Sequence, residues 1–175
     1  MLLFLLDGLE AIRGFFNLGG PVLILIAGLT FFMWLLLLER ASYFLISYKH
    51  DAQAALDYWE ARGERRSWHA LAIRDKLISE LHVKIEHNLA MIKTMIAICP
   101  LFGLLGTVTG MIEVFTVLSI GGGEARSMAD GISRATIPTM AGMVAALSGV
   151  FANITISQRA ARERELIEEH LTSDH

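Results

Sequence analysis

The chemistry available to this chain lies in a few polar side chains placed in or beside long apolar stretches. Thr107 and Thr139 offer hydroxyl groups, Glu113 a carboxylate and Arg134 a guanidinium. Charged groups within a membrane-spanning segment are costly to place there, and they mark ion pathways by default. The residue types therefore predict an ion pathway. The motifs His-Glu-x-x-His and Gly-x-Ser-x-Gly, and the paired aspartates of intramembrane hydrolases, are absent from the sequence, so we expect no enzyme and no catalytic residues.

Small residues surround Thr107 in a stretch that carries no charge from residue 94 to residue 112. Gly103, Gly106 and Gly110 recur at spacings of three and four, which leaves one helix face almost bare of side chains. Bare faces of this kind allow helices to approach closely within a membrane. The alternative is a helix that only packs, with threonines that bond their own backbone.

The third apolar stretch presents a stripe of small and polar residues along a single helix face. Bulky residues occupy the rest of that helix, so the stripe favours a helix that lines a packed central space. Pro138 removes one helix hydrogen bond, and we expect a kink immediately before Thr139. The members of the stripe recur at spacings of three and four: Thr139, Gly142, Ala146, Gly149 and Asn153.

Composition indicates an all-α membrane protein, with 54% hydrophobic residues and a mean hydropathy of +0.50. Three stretches are long enough to cross the ~30 Å hydrocarbon core of a bilayer as helices. Gly19-Gly20-Pro21 ends an N-terminal amphipathic helix, which suits the membrane surface, and starts the first span. The predicted segments are the amphipathic helix 1–18, transmembrane helices 20–38, 94–118 and 129–157, a helical region 39–93, a loop 119–128 and a tail 158–175.

Basic residues set the predicted orientation. Nine of the fifteen Lys and Arg residues fall in segment 39–93. By the positive-inside rule this segment and the C-terminal tail are cytoplasmic, and the N-terminus and loop 119–128 lie outside. The nine are Arg40, Lys49, Arg62, Arg65, Arg66, Arg74, Lys76, Lys84 and Lys93.

Segment 39–93 contains two helix-start signals. Asp51 is a candidate cap for a short helix, and Ser67 is a candidate cap for a second. No helix breaker follows Ser67 before Pro100, so we expect a single long helix from about residue 68 to about residue 118, half in the cytoplasm and half in the membrane. The third span also extends into the cytoplasm, where two i,i+4 ion pairs are possible, Arg159–Glu163 and Arg164–Glu168.

Other kinds of partner find little support in the sequence. No third metal-ligating residue lies at a suitable spacing from His69, His82 and His87. We therefore expect no metal and no cofactor. The net charge of −3 favours neither nucleic acid nor another polyanion. The single cysteine, Cys99, lies in an apolar span, and we interpret it as a packing residue.

Two motifs resemble those of a known family. Residues 100–110, Pro-x-x-Gly-Leu-Leu-Gly-Thr-Val-x-Gly, resemble the second transmembrane helix of the ExbB/TolQ/MotA family of proton-driven motor proteins. Residues 131–146, which include Arg134, Pro138 and Gly142, resemble its third helix. The length and the three spans are similar to those of the ExbB and TolQ branch.

The resemblance implies a homopentameric ring in the bacterial inner membrane, with a periplasmic N-terminus and a cytoplasmic C-terminus. Two threonines without a central carboxylate cannot carry protons alone, so a protonatable group must come from elsewhere. The resemblance indicates a small ExbD/TolR-like partner whose single span carries an aspartate. Thr107 and Thr139 would line the wall around that aspartate. The resulting motion would pass to a TonB-like protein that drives outer-membrane import, for example of iron chelates.

One position departs from the family pattern, because Arg134 stands where ExbB and TolQ usually have a glutamate. If Thr107 and Thr139 meet at one depth, as the resemblance implies, Glu113 lies about 9 Å and Arg134 about 7.5 Å beyond them. We therefore expect a Glu113–Arg134 pair near the outer mouth. The alternative is that the two groups reach water separately.

Two other functions stay open at this point. A TolQ-like subunit would serve envelope maintenance instead of import. A passive membrane scaffold would use the glycine faces for packing alone.

Overall fold

The computed structural model describes residues 2–64, 67–121 and 125–170, in which no strand occurs. Helix α1 spans Leu2–Ser42 and continues through a π-helical turn, Tyr43–Ser47, into α2, Tyr48–Glu60. Helix α3 spans Trp68–Glu86, α4 spans Leu89–Gly121 and α5 spans Ala125–His170. The predicted all-α class is confirmed.

The chain divides into two compact units. The first contains Met1–Trp34 and Thr94–Val150, and the second contains Leu35–Lys93 and Phe151–His175. Three stretches of the described residues are long and apolar enough to cross a membrane, as predicted: Gly19–Glu60, Trp68–Ser119 and Gly131–Glu169. Most side chains of residues 2–12, the centre of loop 119–128 and the end of the tail lie outside the described part, so the amphipathic face of 1–18 stays a prediction.

Helix α1 is interrupted at Gly20. Its backbone has φ 65° and ψ −165°, which lies outside the helical region and is open to glycine because glycine lacks a Cβ. Pro21 follows and has no N–H to donate, so it can begin the next helical stretch without leaving an unpaired donor. The predicted break at the Gly-Gly-Pro sequence is confirmed.

The predicted single helix over residues 68–118 is wrong, because the chain breaks between α3 and α4. Asn88 has φ 62°, a left-handed conformation that asparagine tolerates better than most residues. Its Nδ2 donates to the Glu39 carboxylate at 3.4 Å, and its carbonyl accepts from the Ile92 N–H at 3.0 Å. The break therefore depends on an asparagine and a distant glutamate rather than on glycine or proline.

A buried guanidinium holds the same region of the second unit together. Arg40 is only 4% exposed, and it donates to the Glu39 carboxylate at 2.6 Å and to the Lys84 carbonyl at 2.9 Å. Its Cζ also lies 4.8 Å from the centre of the Tyr43 ring. Arg40 thus joins the residues after the first predicted span to the end of α3.

Helix capping follows the prediction at one site and departs from it at another. The Ser67 hydroxyl accepts from the Ala70 N–H at 3.2 Å and caps α3, as predicted. Asp51 caps no helix, because the chain is already helical before it. Its carboxylate instead accepts from the Tyr43 hydroxyl at 3.1 Å and pairs with Lys84 at 3.2 Å.

Two charged residues of the tail pair with α3 rather than with each other. Arg164 binds the Glu86 carboxylate, and Glu168 lies 3.4 Å from His82 Nε2. The predicted i,i+4 pairs, Arg159–Glu163 and Arg164–Glu168, are not among the ion pairs of the described residues. For Arg164 and Glu168 the reason is that α5 packs on α3 here and offers partners on a neighbouring helix.

Candidate functional site

The bare face of α4 lies directly against α5 in the first unit. A Cβ added to Gly103 would lie 2.9 Å from the Thr139 Cα, closer than real Cβ contacts. Gly106 meets Pro138 and Gly110 meets Ala135 in the same way. Because residue numbers rise along one helix as they fall along the other, α4 and α5 run antiparallel here.

This close approach brings the two threonine hydroxyls to one level of the bundle. Thr139 Oγ1 donates across the interface to the Gly103 carbonyl at 2.8 Å. Thr107 Oγ1 donates to the Leu104 carbonyl at 2.7 Å, within its own helix. The two acceptors are consecutive residues of α4, so the hydroxyls lie at similar depth. Each oxygen keeps lone pairs with which it can accept a further hydrogen bond.

The small stripe of α5 packs in part against other helices of the first unit, and its role in lining a packed central space stays a prediction. A Cβ on Gly142 would lie 2.5 Å from the Cys99 carbonyl oxygen, and one on Gly149 would lie 2.5 Å from Met33 Sδ. Neighbouring helices of the first unit thus cover this part of the stripe. Asn153 is half-buried and accepts from the Ser157 hydroxyl at 3.4 Å.

A cavity of about 620 Å³ opens in the first unit beside the glycine interface. We call it the Glu113 cavity. Gly106 and Pro138 form part of its lining, and each directly precedes a threonine of the hydroxyl pair. The cavity therefore extends from the charged end of the interface to the residues that precede the two threonines, although neither threonine lines it. Its other lining residues include Asn17, Gly19, Gly20, Pro21, Thr109, Gly110, Met128 and Ala135.

Glu113 and Arg134 both line this cavity, and both side chains are exposed. They thus arrive at a common region, which agrees with the depth argument from the sequence. Within the described residues, however, their charged atoms form no ion pair with each other. The pairing stays a prediction, and the structure provides the space in which it can form.

A cross-linking experiment tests the shared position of these two residues. We expect a Glu113→Cys/Arg134→Cys variant to be joined within one chain by a short bifunctional maleimide, because both positions line one cavity. The matched control is Glu113→Cys/Thr136→Cys, since Thr136 is exposed on α5 but does not line the cavity. Equal yields of intrachain product in the two variants, measured by mass spectrometry, would contradict the placement.

Sequence reasoning missed other groups at the cavity. Thr109 lines it, and its hydroxyl donates to the carbonyls of Leu105 and Gly106 at 3.0 and 3.1 Å. Asn17 approaches from α1. Thr109 is a variable position within the motif 100–110, and its hydroxyl was a detectable signal. The sequence contained no signal for Asn17, because the position of this residue depends on the break at Gly20. No cluster able to hold a metal occurs in the part of the chain that the structure describes.

Bulky apolar side chains cover the outward surfaces of the first unit. Many of those on α4 and α5 are more than half exposed, for example Leu104 at 58% and Val144 at 68%. Thr107 is half-buried, and it lies between the covered glycine face and this apolar surface. The outward surfaces are thus available to lipid, to further copies of the chain or to a partner helix.

An all-helical chain with three candidate spans and an internal cavity lined by charged side chains defines a multi-pass membrane protein. The comparison with protein families agrees, since residues 50–169 match the MotA/TolQ/ExbB proton channel family. That match covers more than half of the chain, and the chain therefore belongs to this family. It is a family of proton channels and transport components rather than of enzymes.

Two curated relatives come from Synechocystis sp. A putative biopolymer transport protein, ExbB-like 1, is 52% identical over 61 residues, which are 33% of this chain and 24% of the relative. A second, ExbB-like 3, is 34% identical over 88 residues, which are 48% of this chain and 41% of the relative. The chain thus spans less than half the length of the curated relatives it matches.

Proposed function

We propose that this chain is the channel subunit of an energiser complex in the bacterial inner membrane. In this proposal a homopentamer surrounds a single-span ExbD/TolR-like partner, and an aspartate of that partner carries the proton. The proton motive force then moves the assembly, which drives a TonB-like protein in outer-membrane import. Membrane lipid surrounds the complex.

The Glu113 cavity is the observation that carries the proposal. It extends from two charged groups to the residues that precede Thr107 and Thr139, and its volume is sufficient for several water molecules. Protons entering at the charged end would reach the hydroxyl level through these waters. Glu113 would serve this entry, since Arg134 replaces the usual acidic residue. Among the described residues that line this cavity, no carboxylate is adjacent to the hydroxyls of Thr107 and Thr139.

Hydroxyl chemistry explains why threonines suit a partner's acid. A protonated aspartic acid donates one hydrogen bond, and either threonine oxygen can accept it with a free lone pair. An ionised aspartate only accepts, so a hydroxyl must rotate away from its carbonyl and donate instead. Since Thr107 and Thr139 donate to carbonyls at 2.7 and 2.8 Å, this rotation couples the aspartate's charge to the wall.

Orientation in the proposal follows the distribution of charge. Segment 39–93, with nine of the fifteen basic residues, would be cytoplasmic. The charged end of the Glu113 cavity would then face the periplasm, from which protons enter under the proton motive force.

One observation favours the passive scaffold as a second candidate. Thr107 bonds its own helix, and the glycine faces are occupied by contacts within the chain. A passive scaffold would need only these packing contacts and hydrogen bonds within the chain. Proton movement separates the two functions, because a scaffold of packed helices conducts none.

The decisive experiment is reconstitution with a partner. A small single-span protein with one membrane aspartate would be sought in the neighbouring reading frame, co-purified with this chain and placed in vesicles that contain a pH dye. We expect proton influx under an imposed potential, and its loss when the partner's aspartate becomes asparagine. Absence of influx from the intact complex, or equal influx from the asparagine variant, would contradict the proposal. A TolQ-like role is distinguished by which cellular defect follows deletion, loss of import or loss of envelope integrity.

A further inference from the structure

Two arginines without an ion-pair partner among the described residues lie on α5 just after the third predicted span. Arg159 and Arg162 are both exposed, and both line a shallow, open cavity on the surface of α5 in the second unit. The remaining lining residues are Thr155, Gln158, Glu163 and Leu166.

Neither arginine takes part in an ion pair within the described residues, although the tail contains several acidic side chains. Glu163 is the acidic group that shares the cavity, and it also lines a second cavity beside Tyr48. Arg164, the next cation along the helix, is occupied by Glu86. The cavity therefore carries two guanidinium groups against one carboxylate, a local positive excess in a chain whose net charge is −3.

The positions of Arg159 and Arg162 along α5 indicate which layer of the membrane their guanidinium groups reach. With the third span ending at residue 157, Arg159 lies about 3 Å and Arg162 about 7.5 Å beyond the hydrocarbon edge, at 1.5 Å per residue. The polar headgroup layer adds about 5–7 Å on each side of the hydrocarbon core. Both guanidinium groups therefore reach the level of lipid phosphates.

We propose that Arg159 and Arg162 bind the phosphate group of an anionic phospholipid of the cytoplasmic leaflet. The proposal rests on the membrane placement given under the proposed function. Residues three apart on a helix are surface neighbours, so both side chains can reach one phosphate. Guanidinium groups bind phosphate oxygens with paired N–H donors. The exposed Gln158 amide lines the same cavity and can donate to the polar headgroup.

Native mass spectrometry of the full chain in detergent tests this site with phosphatidylglycerol and with phosphatidylcholine. We expect the wild type to prefer phosphatidylglycerol, and the variant Arg159→Gln/Arg162→Gln to bind it about tenfold more weakly. Phosphatidylcholine binding should stay the same, because that lipid has no net charge. An unchanged preference for phosphatidylglycerol in the variant overturns the proposal.

A matched control removes two exposed positive charges from elsewhere in the cytoplasmic segment. Lys49→Gln/Lys76→Gln should keep the wild-type preference, because these residues lie further along the chain from a predicted span. An equal loss in this control means that overall charge decides binding, and it overturns the site. Competition by inorganic phosphate at the lipid's concentration also overturns it in favour of a free phosphate site. Lipid binding is measured without partner or proton gradient, so its failure and the failure of the proposed function are separate results.

Discussion

Thr139→Val is expected to reduce proton influx through the reconstituted complex at least tenfold while leaving the fold intact. The Thr139 hydroxyl donates to the Gly103 carbonyl at 2.8 Å, at the level where the proposed partner's acid binds. Valine is nearly isosteric but can neither donate nor accept, and a positioned proton-transfer group typically contributes about 10²–10⁴-fold, so a loss of at least tenfold is expected. The stability cost should be about 1 kcal/mol, since a neutral hydrogen bond is lost. Dye-detected influx and thermal unfolding measure the two effects separately.

Thr136→Val supplies the matched control for this prediction. Thr136 lies on the same helix, is exposed, and donates only to the Ser133 carbonyl of that helix at 2.8 Å. The same chemical change there should leave influx near the wild-type rate. Thr139→Ser keeps the hydroxyl and should retain most of the influx. If Thr139→Val conducts as well as Thr136→Val, the Thr139 hydroxyl only ties two helices together.

The spans and the glycine interface were predictable because their signals are local and periodic. Apolar length marks a span directly. The recurrence of Gly103, Gly106 and Gly110 defines a bare face on any helix that contains them, and the structure packs this face against α5. The Gly-Gly-Pro break was equally visible, because one residue must leave the helical region and the next cannot donate.

The elements that sequence reasoning missed depend on contacts between distant residues. Asn88 ends a helix because its amide reaches Glu39, and Arg40 is buried because Lys84 offers it a carbonyl. Arg164 pairs with Glu86 on another helix instead of a neighbour on its own. A local pattern contains no information about which distant partner is available, so helix starts and ion pairs in the second unit were predicted less well than spans.

At the candidate site, some features followed from the sequence and others depended on contacts between distant residues. The levels of Glu113 and Arg134 followed from helix rise once the family resemblance set Thr107 and Thr139 at one depth, and the structure places both charged residues at one cavity. The sequence did not indicate what Gly142 and Gly149 would contact, because a bare face is equally suited to a central space and to a neighbouring helix of the same chain. The structure packs them against Cys99 and Met33, and the role of the stripe in a central space stays a prediction.

Gly142→Ala is expected to destabilise the chain by about 1–3 kcal/mol, the usual cost of overpacking a close-packed interface. An added Cβ would lie 2.5 Å from the Cys99 carbonyl oxygen and 3.2 Å from the Gly103 Cα. Both are backbone atoms, so no side-chain rotation can relieve the clash, and the helices must separate. We expect the apparent thermal midpoint of the detergent-solubilised full chain to fall by several degrees, because about 1 kcal/mol shifts the midpoint by 2–4 °C in a protein of this size.

Gly28→Ala makes the identical change on α1, where an added Cβ meets nothing within 4 Å. Alanine has the higher helix propensity by roughly 1 kcal/mol, so this control should be neutral or slightly stabilising. The two substitutions therefore move the midpoint in opposite directions if the α4–α5 contact is as close as the glycines indicate. A Gly142→Ala chain that unfolds at the temperature of the Gly28→Ala chain would mean that this face is free and that α4 and α5 do not pack as closely as the glycines indicate.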